Sequence, residues 1–305
     1  MTEADGRDGF LRGFPAPVRH HTAAAVGRLG TARLRDLAGG RLSLGWVKPG
    51  TLTDALAAPA VALAASLTLV PARGLTADDF NALSAARLEH LTELRLCAYE
   101  FQLYRTDAEA VLRWAAGLDL PRLCRLALCA QQAGVEFVAA LAASPAAARL
   151  TRLDLTRVHL TNDGLEALGR ATLPRLREVQ FAAGTMDDAG LAAFVGSPTA
   201  AALRSLDVRA LWTDAGEVFF RALASYPTTA RLRVLGIPPS SWLPAAGVRA
   251  LQASPYLNRS VEVHCHPGDP DTAGVLKAAF GDRLRPTSAW QSVKPASARC
   301  RRGRP

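Results

Sequence analysis

The sequence predicts an α/β solenoid, an open parallel sheet laid down one strand at a time with one short helix per strand on its other side. Two observations in phase predict it. Pairs of apolar residues in the spacing LxxLxL recur as Leu67/Leu69, Leu94/Leu96, Leu126/Leu128, Leu153/Leu155, Val179/Phe181, Leu206/Val208, Leu235/Ile237 and Val261/Val263, with first members 27, 32, 27, 26, 27, 29 and 26 residues apart. A proline precedes the strands on the same clock: Pro59, Pro145, Pro198 and Pro227 lie 8 residues before Leu67, Leu153, Leu206 and Leu235. Such prolines are expected to end the preceding helices. Leu42/Leu44 reads as a degenerate first unit, for about eight to nine repeats in all.

Arg149 to Leu168, RLTRLDLTRVHLTNDGLEAL, shows why each element forms. Leu153 and Leu155 fall on one side of a short strand, while Arg152, Asp154 and Thr156 point to the other. Thr161-Asn162-Asp163-Gly164 is a helix-start cluster, and Leu165 and Leu168 follow at helical spacing. A strand with one short amphipathic helix cannot close a core alone, so the unit must repeat to be stable.

These motifs resemble the leucine-rich-repeat proteins over residues 39–285, and by unit length and helical second half the ribonuclease-inhibitor-like subclass. The resemblance implies a horseshoe with the parallel sheet on the concave face and the helices on the convex face, and it is unspecific for function. One departure stands out. Where the family usually carries Asn or Cys after the strand, this chain has Tyr99, Gln131, Val158, Gly184, Leu211 and Ser240.

Residues 1–38 lack the repeat and are expected to form an N-terminal helical cap, with Val26, Leu29, Leu34 and Leu37 at helical spacing after Thr22. Residues 39–285 form the solenoid. Residues 286–305 turn to Pro, Ser, Ala and Arg without periodicity and are expected to be a basic, disordered tail. The chain carries a net charge of +9, but 7 of its 36 basic residues follow Asp282 with no acid among them, leaving 29 basic against 27 acidic residues before that point. Five cysteines, with Glu3, Asp5 and Asp8 where a basic signal region would stand, point to a reducing, cytoplasmic setting. The uncharged run Ala55–Ala72 contains Pro59 and Pro71 and carries Leu67/Leu69 in phase, so it reads as a helix end and a strand rather than a membrane span.

Catalytic motifs are not found, and no cofactor is expected. His264 and His266 project to one side of a strand with no further ligand nearby apart from Glu262 on that side, so no metal is assigned. Cys97 and Cys129 stand at equivalent places in adjacent repeats, about 4.8 Å apart on parallel strands. Asp79, Asp187, Asp188 and Asp214 suit helix capping better than cation binding. Tyr99, Phe101, Tyr104 and Trp114 in the longest unit serve either a binding loop or extra core, and Trp242 lies in a second long unit.

The strand residues that alternate with the leucines line the concave face. There Glu93, Arg95, Arg125, Arg152, Asp154, Glu178, Gln180, Asp207 and Arg209 mix both signs of charge, which suits protein recognition and lacks the basic excess that phosphate demands. The bland reading is an ion-paired, solvated sheet, with Glu93 meeting Arg125 and Arg152 meeting Glu178. The expected function is therefore a non-enzymatic protein-interaction scaffold. The alternative is nucleic-acid or anionic-surface binding through the basic tail.

Overall fold

A computed structural model describes residues 10–11, 14–15, 18–21, 41–47, 52–71, 74–96, 106–128, 134–156, 158–181, 185–209, 216–238, 244–257, 260–265 and 270–286. The segment 22–38, Cys97, Tyr99, Phe101, Tyr104, Cys129, Asp214, Trp242, His266 and the tail from residue 287 lie outside them.

One parallel sheet of 11 strands runs through the molecule with its strands in sequence order. They are β3 (Val18–His21), β4 (Arg41–Val47), β5 (Ser66–Pro71), β6 (Glu93–Leu96), β7 (Arg125–Leu128), β8 (Arg152–Leu155), β9 (Glu178–Phe181), β10 (Ser205–Asp207), β11 (Val234–Gly236), β12 (Glu262–Cys265) and β13 (Leu284–Pro286). A separate antiparallel pair joins β1 (Phe10–Leu11) to β2 (Phe14–Pro15). The arrangement is that of a leucine-rich-repeat solenoid.

Register follows the leucines. Leu42, Leu67, Leu94, Leu126, Leu153, Val179, Leu206 and Leu235 stand opposite one another strand by strand. Each is at most 4% exposed, so a single apolar spine runs along the inner side of the sheet. The sheet also extends to Val18, opposite Leu42. The last pair is corrected: Leu235 faces Val263, not Val261, and Cys265 takes the second inward place, buried like the leucines it replaces.

Between strands the chain forms helices of 8 to 10 residues, such as Ala77–Ala85, Gly134–Ala143, Asn162–Arg170, Asp188–Val195 and Glu217–Ser225. Their starts are capped as the sequence suggests. Thr76 and Asp79 form a reciprocal capping box, and Asp107, Thr161 and Asp187 each accept the N–H three residues on. Asp188 acts across repeats: its carboxylate accepts the N–H groups of Val218 and Phe219, both at 2.8 Å, because Gly216 at that helix's start has no side chain to do so.

The prolines act one step later than expected. Pro59, Pro198 and Pro227 open a second short helix, at Pro59–Ala62, Pro198–Ala201 and Pro227–Arg231, where a missing N–H costs nothing. Hydroxyls then tie the latter two returns to the repeat before them, Thr199 to Ala171 O and Thr228 to Val195 O.

At the start of each strand from β6 to β11 a carbonyl of the preceding repeat accepts two N–H groups. Thr151 and Arg152 bond Cys124 O, Arg177 and Glu178 bond Thr151 O, and Arg204 and Ser205 bond Arg177 O. On the far side, Val158 stands where the family carries Asn. It is fully buried, and main-chain bonds to Leu155 O and from Leu160 N close that turn in place of a polar side chain.

Trp114 is 5% exposed and lies 5.6 Å from Phe80 between ring centroids, which settles it as core. The uncharged run from Ala55 divides into helix and strand as far as Pro71, and among the described residues no helix is long and apolar enough to cross a membrane.

Candidate functional site on the concave sheet

The same register that aligns the leucines aligns the residues between them. One column runs Ser66, Glu93, Arg125, Arg152, Glu178, Ser205, Val234 and Glu262; the next runs Thr68, Arg95, Ala127, Asp154, Gln180, Asp207, Gly236 and His264. Eight of the nine residues singled out from the sequence are thus brought into these two columns across five strands, and the ninth, Arg209, follows two residues after Asp207, just past the end of the fifth strand. Their charges cancel, four arginines against four carboxylates.

Most of these charges are engaged with one another. Glu93 binds Arg95 two residues along its own strand at 3.3 Å and accepts Ser66 Oγ at 3.3 Å. The pair along one strand replaces the expected bridge to Arg125. Arg95 also reaches across Ala127 to Asp154 Oδ2, 3.8 Å away on the second strand over. A methyl group at Ala127 leaves the space for that reach. Asp154, 7% exposed, further accepts Thr156 N at 3.1 Å and Thr156 Oγ1 at 2.8 Å. Arg152 meets Glu178 at 3.4 Å, as the sequence suggests.

Farther along, Asp207 and Arg209 form a two-pronged pair, with Nε and Nη2 of Arg209 donating to Asp207 at 3.0 and 2.7 Å. Burial works against the guanidinium charge, but the bonds and charge of Asp207 outweigh it and hold the Arg209 pKa above its ordinary value. The carboxylate leans over Gly236, where a Cβ would stand 2.4 Å from Asp207 Oδ1.

Arg125 and Gln180 differ from the rest. Among the described residues neither makes a side-chain hydrogen bond or ion pair. Arg125 is half-buried beside Ala127, with Glu93 on one flanking strand and Arg152 on the other.

A further cluster extends beyond the His264 noted in the sequence to Arg285 on the last strand. Glu262 lies 3.3 Å from Arg285 and 3.5 Å from His264 Nε2. Burial pushes its pKa up, yet Arg285 and His264 bring it below the ordinary glutamate value. Arg285 enters this column only because Leu284–Pro286 adds a strand, which three residues with one leucine do not announce. Cys265 Sγ bonds Pro238 O at 3.1 Å, and burial pushes its thiol pKa up to about 12, which leaves it unreactive. Among the described residues no group of three His, Cys, Asp or Glu is placed to hold a metal.

No family model matches the chain, and no curated protein matches it. Among solved structures it is similar to a chain of the yeast Rad7–Elc1 complex, at 13% identity and a TM-score of 0.39 over 84% of this chain and 79% of that one. It is also similar to an internalin, InlF, from Listeria monocytogenes, at 12% identity and a TM-score of 0.29 over 86% of this chain and 92% of that one. Likenesses of this degree add nothing to what the strands and helices establish by themselves.

Proposed function

We propose that the chain is a non-enzymatic, cytoplasmic scaffold of the ribonuclease-inhibitor-like kind that binds another protein through its concave sheet. The observation that carries this reading is the state of Arg125. It is a cation without a partner among the described residues, set in the middle of a face whose other charges are largely satisfied internally. A neutral, pre-organised polar surface with one open charge offers register and specificity more than raw affinity. The subclass rests on units of 26 to 32 residues with a helix in each, and the cytoplasmic setting on an odd number of cysteines.

The test is affinity capture from the source cell with the intact chain, with Arg125→Glu or Arg152→Glu, and with Lys294, Arg299, Arg301, Arg302 and Arg304 all changed to Gln. Loss of one protein partner with either reversal, and its retention with the neutral tail, supports the concave face. Retention with both reversals and loss with the neutral tail moves the function to the tail and its seven-cation stretch after Asp282.

A further inference from the structure

The body of the solenoid is nearly neutral in sum, but the fold separates its charges. Negative groups gather where the helices begin, as Asp79, Asp107, Glu136, Asp163, Asp188 and Glu217 do. The chain must then return to the start of the next strand, so helix ends and strand starts share the opposite edge. In the five consecutive returns 119–124, 146–151, 172–177, 199–204 and 228–233, which stop short of the concave strand residues, that edge carries seven arginines and one carboxylate, Asp119.

The arginines are placed by the repeat itself. Leu123, Leu150, Leu176 and Leu232 are each at most 2% exposed and anchor their returns. The residue before each of them, Arg122, Arg149, Arg175 and Arg231, turns outward. The residue after the anchor is Arg177, Arg204 and Arg233 on three successive strands, tied one to the next by Arg204 N to Arg177 O and Arg233 N to Arg204 O. Strands lie about 4.8 Å apart, so the row extends over roughly 19 Å from Arg122 to Arg231.

Some of these cations are engaged: Arg149 with Asp119 at 2.8 Å, Arg177 with the carbonyls of Pro174 and Leu176, and Arg233 with Ser260 Oγ at 2.9 Å. Arg122, Arg175, Arg204 and Arg231 are exposed and have no side-chain partner among the described residues. Tyr226 and Tyr256, at 42% and 37% exposed, stand at the helix ends on this same edge. The Tyr226 ring lies over Gly196 of the preceding repeat, 3.3 Å from where a Cβ would be.

We propose that this arginine edge binds the phosphate backbone of single-stranded nucleic acid. A strand offers evenly spaced phosphates to a row of guanidinium forks, which match phosphate oxygens two at a time. The two exposed rings supply stacking surfaces that are indifferent to base identity. A bilayer would meet no aliphatic wedge here, because the other large exposed apolar side chains among the described residues, Val218 and Val275, lie on helices away from this edge. The edge is separate from the concave face, so this proposal stands or falls independently of the protein-binding reading.

The experiment is fluorescence anisotropy with a labelled oligothymidylate of about 20 nucleotides, longer than the ~4–16 a single-strand groove covers. It uses the full chain with the tail cations at Lys294, Arg299, Arg301, Arg302 and Arg304 changed to Gln, so that the tail contributes nothing. The expected result is binding that weakens with salt. Changing Arg175, Arg204 and Arg231 together to Glu should reduce affinity at least about tenfold and flatten the logarithmic salt slope by about 2, at ~0.7 per phosphate contact. The triple change to Gln should show a smaller loss in the same direction, with circular dichroism unchanged for both. An affinity and slope untouched by either triple change would overturn the proposal. So would edge-dependent binding of polyglutamate or phosphatidylserine vesicles by a chain that does not bind the oligonucleotide.

Discussion

The guanidinium of Arg95 lies 3.8 Å from the carboxylate of Asp154 although a whole strand separates them. Ala127 on the intervening strand, 6% exposed, makes the approach possible. Ala127→Leu should therefore separate the two groups, obstruct the surface beside Arg125 and cost about 1–3 kcal/mol through overpacking. Urea unfolding measures the cost, and capture of the partner measures the obstruction. A variant of unchanged stability and unchanged binding would show that neither the bridge nor the floor matters.

Gly236 is constrained in the same manner by Asp207. Gly236→Ala should push the carboxylate away from Arg209 and destabilise by about 1–3 kcal/mol, since it disturbs a half-buried, charge-assisted pair. Adding Asp207→Ala removes the collision, so the double variant should cost less than the sum of the singles. Additive losses would mean that the two residues do not meet.

Asp188 is expected to stabilise a helix to which it does not belong. Asp188→Ala strips the acceptor from Val218 and Phe219 N–H and should cost about 1 kcal/mol. Hydrogen exchange should then quicken at the start of Glu217–Ser225 more than in Asp188–Val195. Faster exchange confined to the latter would contradict the cap across repeats.

Two groups define pH limits in opposite directions. The Glu262 pKa is lower in the folded chain than in the unfolded one, so its contribution is present above the ordinary value of about 4.3 and is lost as pH falls through the folded value. Glu262→Gln should make the thermal midpoint less dependent on pH in the acid range. Cys265 is raised to about 12, so its contribution holds below the unfolded thiol value of about 8.5 and fades as pH climbs through the folded one. A thiol reagent at mildly alkaline pH should label Cys265 only after unfolding, as peptide mapping would reveal.

Strand order and register were legible because a leucine spine with a period near 27 residues admits few alternatives. The exception is instructive. Val261, Val263 and Cys265 alternate and all three are buried, and cysteine buries as readily as valine, so pattern alone could not tell which two take the places of the leucine pair. The concave residues were legible as a set, because alternation assigns a face. Their partners were not, because a long side chain such as Arg95 chooses between a neighbour on its own strand and one two strands away according to space that Ala127 happens to leave. The arginine edge had a visible signal in the recurring Arg-Leu before each strand, at Arg122, Arg149, Arg175 and Arg231. Charge summed along segments cancels it against acids that the fold sends to the other edge.

The central claim, that a partner protein seats on the concave sheet, is tested most directly by a photo-crosslinking amino acid placed at Gln180 on that face and, separately, at exposed Val218 on the helical side. The account predicts a protein adduct in the source cell from position 180 that disappears with Arg125→Glu, and none of that mass from position 218. The same adduct from position 218, with none from 180, would contradict it.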